Sequence, residues 1–407
     1  MRVFLKQHSL LILYFLSLLL VSAGLYYGFG AKHLPKVIFY TVSFVISYFL
    51  FHRLFRDRNF KLDKFTLKRP SKNIVDLSLF LFCSGFVIIH MIFLGHVPFI
   101  TAYNTLDYYY IALIRQHIGE HDNNLIHYLS SFMIRGFIPF AVLYFSVSNK
   151  KLFYLFIPFA IFYAIALMQK SLIVTVMTPT AIYAFCSRKY FKSLLMVLTS
   201  VFGVFILVYT TNPSLRATQE EIRLAMLKSG KHYEMEAERG TGEGILVASD
   251  AIYTRVFLTT GLVSGHWFEK IPSKFPYARG CGYHFLAPML GCNFTDYDYS
   301  RIIYDDTYKK EAKMGMKGTV TVASFVYDYA NFGYYGLCYS GIILAFFFTL
   351  LNKIFANNIK WNLSLNFLYI FWLSSAAFTT ILLSGGWILT LLLFFFYKPY
   401  IKEFSHS

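Results

Sequence analysis

At 407 residues, with 57% hydrophobic and 20% aromatic residues, the chain could hold several soluble domains by length alone, but its apolar residues fall in repeated blocks near bilayer length. A formal net charge of +17 would suggest nucleic acid in a soluble protein. Here half of the basic residues lie where the positive-inside rule puts them, so no nucleic-acid partner is read from the charge.

Apolar runs recur at about 9–27, 36–52, 75–95, 126–146, 152–168, 171–187, 193–211, 334–351, 363–383 and 386–399. This spacing predicts an all-α polytopic membrane protein of about ten transmembrane helices, seven before one long hydrophilic insert and three after it. The runs from Leu152, Ser171 and Gly386 are short enough to be tilted, half-buried or re-entrant. The first run is too long for a signal peptide and lacks a small-residue cleavage site, so it reads as a retained helix.

Three blocks follow: a membrane block over 1–211, a loop domain over 212–333 and a membrane block over 334–407. The connection after the second run carries Arg53, Arg56, Arg58, Lys61, Lys64, Lys68, Arg69 and Lys72 against Asp57 and Asp63. That bias places it in the cytoplasm, and the same parity puts both termini inside and the 212–333 insert outside, in the periplasm. A second outward segment, Gly95 to Leu125, opens with Gly95-His96-Val97-Pro98-Phe99 and runs through Tyr108 to Tyr110. It reads as a structured loop or re-entrant turn at the membrane surface. The first outward loop, Gly30 to Lys36, has no acidic residue.

Of the five cysteines, Cys83, Cys186 and Cys338 lie in apolar runs, where cysteine acts as a small hydrophobe. Cys281 and Cys292 stand eleven apart in the insert, where a bridge would need an oxidising compartment.

Arg135 lies inside an apolar run, where a charge needs either a snorkelling route to the interface or a water-filled, anion-holding cavity. The second reading is preferred. Lys170 stands at a turn between two short helices, and Arg115, Arg216, Arg255 and Arg279 are further outward cations. Each taken alone reads as a solvated surface charge, whereas together they suit a pyrophosphate, whose oxygens accept paired charge-assisted hydrogen bonds. For proton transfer the outward candidates are His284, Asp328, His266 and Asp250. His284 is preferred because the glycines and cysteine of Gly280-Cys281-Gly282-Tyr283-His284 would shape a tight loop around it. No HExxH, CxxC, P-loop or GxSxG pattern occurs, so zinc hydrolysis, P-loop and serine-hydrolase chemistry have no sequence support. No metal site and no cofactor is legible.

The topology, the Gly95-His96-Val97-Pro98-Phe99 loop, the Gln169-Lys170-Ser171 turn and the Asn331-Phe332-Gly333-Tyr334-Tyr335-Gly336 segment resemble the bacterial O-antigen and exopolysaccharide repeat-unit polymerases of the Wzy type. Lys170-Ser171 stands where members of that family often show Ser-Arg. The resemblance implies an inner-membrane glycosyltransferase. It would move a growing glycan from one undecaprenyl pyrophosphate to the sugar of a second lipid-linked repeat unit, with a chain-length regulator and a flippase as protein partners. A pyrophosphate leaving group needs positive charge more than a protonating acid, which fits many outward cations and no metal cluster. The rivals are an O-antigen ligase and a flippase or transporter. A flippase would predict two related halves, which the arrangement of seven helices, insert and three helices does not show.

Overall fold

The computed structural model describes residues 7–56, 70–119, 124–228, 254, 258–313, 318–355 and 358–401. Among them all regular secondary structure is helical. Among the described residues seven helical stretches are long and apolar enough to cross a membrane: Ser9–Phe29, Leu34–Leu54, Lys72–Leu94, Tyr128–Ser148, Tyr190–Thr211, Tyr334–Ile354 and Phe378–Tyr400, the last in consecutive shorter helices. The chain is therefore read as membrane-embedded.

The difference from ten apolar runs has local causes. The runs at 152–168 and 171–187 become Lys150–Ala166 and Lys170–Cys186, each of 17 residues, about 26 Å of helix and short of a hydrocarbon core of about 30 Å. The run at 363–383 is interrupted. Its helix, Ile359–Trp372, stops where the Ser374 hydroxyl turns back to the Phe371 carbonyl (2.7 Å), and a five-residue helix, Phe378–Leu382, follows. Short serine side chains compete with the helical ladder in this way, and an apolar-run count cannot see it.

By contacts the chain forms two compact units, each drawing chain from both sides of the long hydrophilic stretch. The first comprises residues 1–64, 251–362 and 369–381. In it Leu34–Leu54 packs along Tyr334–Ile354, and Ser9–Phe29 packs along Thr259–Lys270. The second pairing is close because Gly24 faces Gly261. A Cβ on Gly261 would lie 2.3 Å from the Val21 carbonyl oxygen, so no side chain fits there. Small residues at such crossings let backbones approach and make up in packing what lipid withholds in hydrophobic drive. Between the helices lies an aromatic core of Tyr14, Tyr40, Phe44, Tyr48 and Phe348, in which the Tyr14 and Tyr40 hydroxyls hydrogen-bond at 2.6 Å. On Leu34–Leu54 the apolar residues Ile38, Val42, Ile46 and Leu50 are exposed at four-residue spacing, a stripe suited to lipid.

The second unit comprises residues 65–250, 363–368 and 382–407. Its centre is Ile138–Ser148, in which Ile138 through Phe145 are all buried. A π-helical turn, Met133–Phe137, precedes it, with Ile138 N bonded five residues back to Met133 O, and Pro139 favours that turn because proline has no N–H to return to the Arg135 carbonyl. Asp76 is buried here and saturated by donors, accepting from the Tyr144 hydroxyl at 2.6 Å and from Asn149 Nδ2 at 3.1 Å. After Tyr190–Thr211 the chain enters Gln219–Lys228 through a capping box, Thr218 Oγ1 accepting from Glu221 N (3.3 Å) and Glu221 Oε2 from Thr218 N (2.8 Å).

Candidate active site

In the first unit the segment 272–298 is largely without regular helix and is pinned against the short helix Ser324–Phe332. Ala278 N bonds Ala330 O at 3.0 Å and Arg279 N bonds Asn331 O at 2.8 Å, so the loop satisfies the carbonyls that the helix end leaves open. Buried Asn331 completes the clamp. Its Oδ1 accepts from Gly282 N at 3.1 Å while its Nδ2 donates to Tyr327 O at 3.0 Å, and the Tyr327 hydroxyl donates to the Gly282 carbonyl. Glycine suits position 282 because a Cβ there would sit 2.7 Å from Asn331 Oδ1 and push that side chain out of the clamp. The Cys281–Cys292 disulfide closes the same loop, with Cα atoms 5.9 Å apart.

This clamp delivers the Tyr283 side chain to Asp328. The Tyr283 hydroxyl donates to Asp328 Oδ1 and lies 2.5 Å from the Tyr339 hydroxyl, which is itself 3.3 Å from the same carboxylate oxygen. A phenol carries one proton. With that of Tyr283 given to Asp328, its oxygen accepts from Tyr339, and the three groups form a relay ending on the carboxylate. Burial, and then the neighbouring Asp328 charge, pushes the Tyr283 phenol up, so it remains a donor. Burial also pushes the Asp328 carboxyl up to about 6, although hydrogen bonds from Ser340, Tyr283 and Tyr339 pull the other way. Phe332, Tyr327 and Phe285 lie around the Tyr283 ring, and Phe325, on the same helix as Asp328, stacks on Tyr40 at 4.5 Å. The result is one carboxylate poised near neutrality inside an aromatic wall, an arrangement able to accept a proton from a hydroxyl.

No family model, curated protein or solved structure matches the chain.

The sequence-selected residues fall in different places. Asp328 is at the centre of the cluster. His284, next to Tyr283, is exposed, with its ring edge-on to Phe294 at 5.1 Å. His266 is half-buried against Phe29 at 5.2 Å, and burial with Lys270 nearby holds its imidazole below the usual range. Arg279 gives its backbone N–H to the clamp while its side chain is exposed. Arg115, Arg135, Lys170 and Arg216 belong to the second unit. There Arg135 is half-buried in the π turn, Lys170 begins its helix half-buried, and Arg115 is exposed. The Arg216 guanidinium reaches the carbonyls of Ala102 (2.9 Å), Tyr103 and Thr105 and lies over the Tyr103 ring, which ties it to the end of the short Pro98–Tyr103 helix. Arg255 and Asp250 lie outside the described residues. Among the described residues no cluster of metal-ligating side chains occurs.

Sequence reasoning missed Tyr283 and Tyr339. Both are tyrosines in a chain with 32 of them, and only the pinning of the loop separates them from the rest. The available signal was Gly282 beside Cys281, which marks a close backbone approach and fixes the direction of the next side chain.

Proposed function

We propose that this protein is a membrane-embedded glycosyltransferase of bacterial surface-polysaccharide assembly, polymerising lipid-linked oligosaccharide repeat units at the periplasmic face of the inner membrane. The observation that carries the reading is the buried Asp328 carboxylate, raised toward neutrality and held by Tyr283 and Tyr339 in an aromatic wall beside the first turns of a spanning helix. In this account Asp328 takes the proton of an acceptor sugar hydroxyl. The acceptor oxygen bonds the anomeric carbon of the growing glycan as the bond from that carbon to the undecaprenyl pyrophosphate oxygen breaks. The pyrophosphate leaves with the electron pair and needs cations, not an acid. Aromatic faces around the carboxylate suit sugar rings. The Cys281–Cys292 bridge supports placement of this loop in an oxidising compartment, as the positive-inside reading of the sequence does.

The test is complementation of a host lacking its own polymerase, with the surface glycan resolved on a gel. Restoration of a ladder supports polymerisation. A host that still shows only single units on its core with this protein present refutes it, and rescue of a ligase-null or flippase-null host instead would assign one of the rival activities.

A further inference from the structure

The connection between the first two spanning helices, which has no acidic residue, gathers cations at the membrane boundary. Lys36 lies in the first turn of Leu34–Leu54 and is half-buried. Its ammonium has a single 3.5 Å contact to the Phe268 carbonyl and otherwise sits over two ring faces, Phe268 and Tyr329, each 4.6 Å to the centroid. Among the described residues no carboxylate pairs with it. The two acids of this region are engaged elsewhere: Glu269 accepts from Lys32 at 2.8 Å, and Asp306 holds both Lys270 and Lys274. Beside Lys36 the His33 side chain is about 5% exposed and its ring lies against Phe29 and the same Phe268; its buried Nε2 lies 4.0 Å from the Glu269 carboxylate, too far for a hydrogen bond, and has no hydrogen-bond partner among the described residues. Burial and the two neighbouring lysines hold His33 down at about 4, so it is neutral at ordinary pH and its unpartnered nitrogen suits a donor role better than a charge.

Glu269 is held by Lys32 and stays beyond hydrogen-bond reach of His33, so a half-buried ammonium faced by rings and a buried imidazole nitrogen are left without an anion that accepts from both. We propose that Lys36 and His33, with Lys32 at the rim, form a binding site for a phosphoryl group carried at the membrane surface. Two sources share that chemistry, a lipid headgroup and free phosphate or pyrophosphate. The position of Lys36 at the end of a spanning helix favours the lipid. Only the choice of a polyprenyl carrier as that lipid rests on the function proposed above; the site itself stands on the contacts of Lys36 and His33. Tyr329, under Lys36, directly follows Asp328, so one aromatic wall of the site and the candidate base are borne by one helix.

The experiment uses the full chain in nanodiscs of neutral phosphatidylcholine. Binding is measured separately for a long-chain polyprenyl pyrophosphate, for phosphatidylglycerol and for inorganic pyrophosphate. The expected result is saturable binding of at least one probe, weakened about tenfold or more by Lys36→Gln and retained by Lys36→Arg, with His33→Phe giving a smaller loss. Preference for a lipid probe over inorganic pyrophosphate identifies the headgroup as the ligand; equal binding of the inorganic ion identifies the phosphoryl group alone. If no probe binds, or if folded Lys36→Gln binds every probe as the parent does, the site is overturned. Binding with no polymerase activity leaves the site standing and removes the polymerase reading; polymerase activity with no Lys36-dependent binding does the reverse.

Discussion

The Tyr283 hydroxyl donates to Oδ1 of Asp328 across 45 residues of sequence, and both partners are buried. A phenol raised by burial and a carboxylate raised by burial make a pair in which the tyrosine gives and the aspartate receives. The phenol therefore keeps its proton and donates, and the carboxylate accepts. Burial also makes the pair sensitive to pH in a calculable sense.

Asp328 has its carboxyl pushed up to about 6 from 3.8, so in the folded protein it holds its proton where the unfolded chain has lost it. Its contribution to stability is therefore fully present below pH 4 and is lost as pH rises through about 6, a change of about 3 kcal/mol. Replacing Asp328 with Asn should remove that dependence. Melting temperatures of the detergent-purified protein and of Asp328→Asn, taken from pH 4 to pH 7, should converge at the acid end and separate toward neutrality with the variant higher.

Hydrogen bonds from Tyr283 and Tyr339 favour the ionised carboxylate. Tyr283→Phe removes the direct donor and also the link to Tyr339, whereas Tyr339→Phe removes only the outer member. Both variants should move the Asp328 midpoint to higher pH, Tyr283→Phe further. Infrared titration of the carboxyl band, using Asp328→Asn as the blank, reads the order directly.

The Cys281–Cys292 bridge and the Asn331 clamp hold the loop that carries Tyr283. Cys281→Ser with Cys292→Ser should cost about 2 to 3 kcal/mol. Gly282→Ala should cost about 1 to 3 kcal/mol through its contact with Asn331. Alkylation of the unfolded, unreduced chain should label three cysteines, Cys83, Cys186 and Cys338, and reduction should add the other two.

Arg216 binds three carbonyls at the end of the Pro98–Tyr103 helix, so its substitution should act on stability. Arg216→Ala should lower stability by about 2 to 3 kcal/mol, and Arg216→Lys should recover only part of it, because an ammonium cannot reproduce the planar fork. Thermal unfolding of the three proteins checks the order.

The membrane helices were legible because their signal is additive: some twenty apolar residues in a row mark a span whatever their order. The break at Ser374 was not, because serine is tolerated in apolar helices and shows its effect only where its hydroxyl turns to the backbone. At the site, Asp328 could be picked out as an acid approaching a spanning helix. His284 is favoured by the sequence for the tight loop around it, yet in such a loop adjacent side chains part: the histidine is exposed while the neighbouring tyrosine reaches the carboxylate. Arg216 reads as an anion-binding arginine in the sequence, and a guanidinium serves carbonyls and phosphates with the same donors; its three carbonyl partners could be seen only in the fold. The surroundings of Lys36 were not legible, because its two aromatic partners, Phe268 and Tyr329, lie more than 200 residues away in sequence.

The proposed activity and the role of Asp328 meet in the glycan ladder of a polymerase-null host complemented with this protein or with Asp328→Asn, both confirmed in the membrane in equal amount. The parent chain should give a full ladder and Asp328→Asn single units on the core. A ladder of normal length from Asp328→Asn would contradict the role of the carboxylate, and the absence of any ladder from the parent chain would contradict the activity itself.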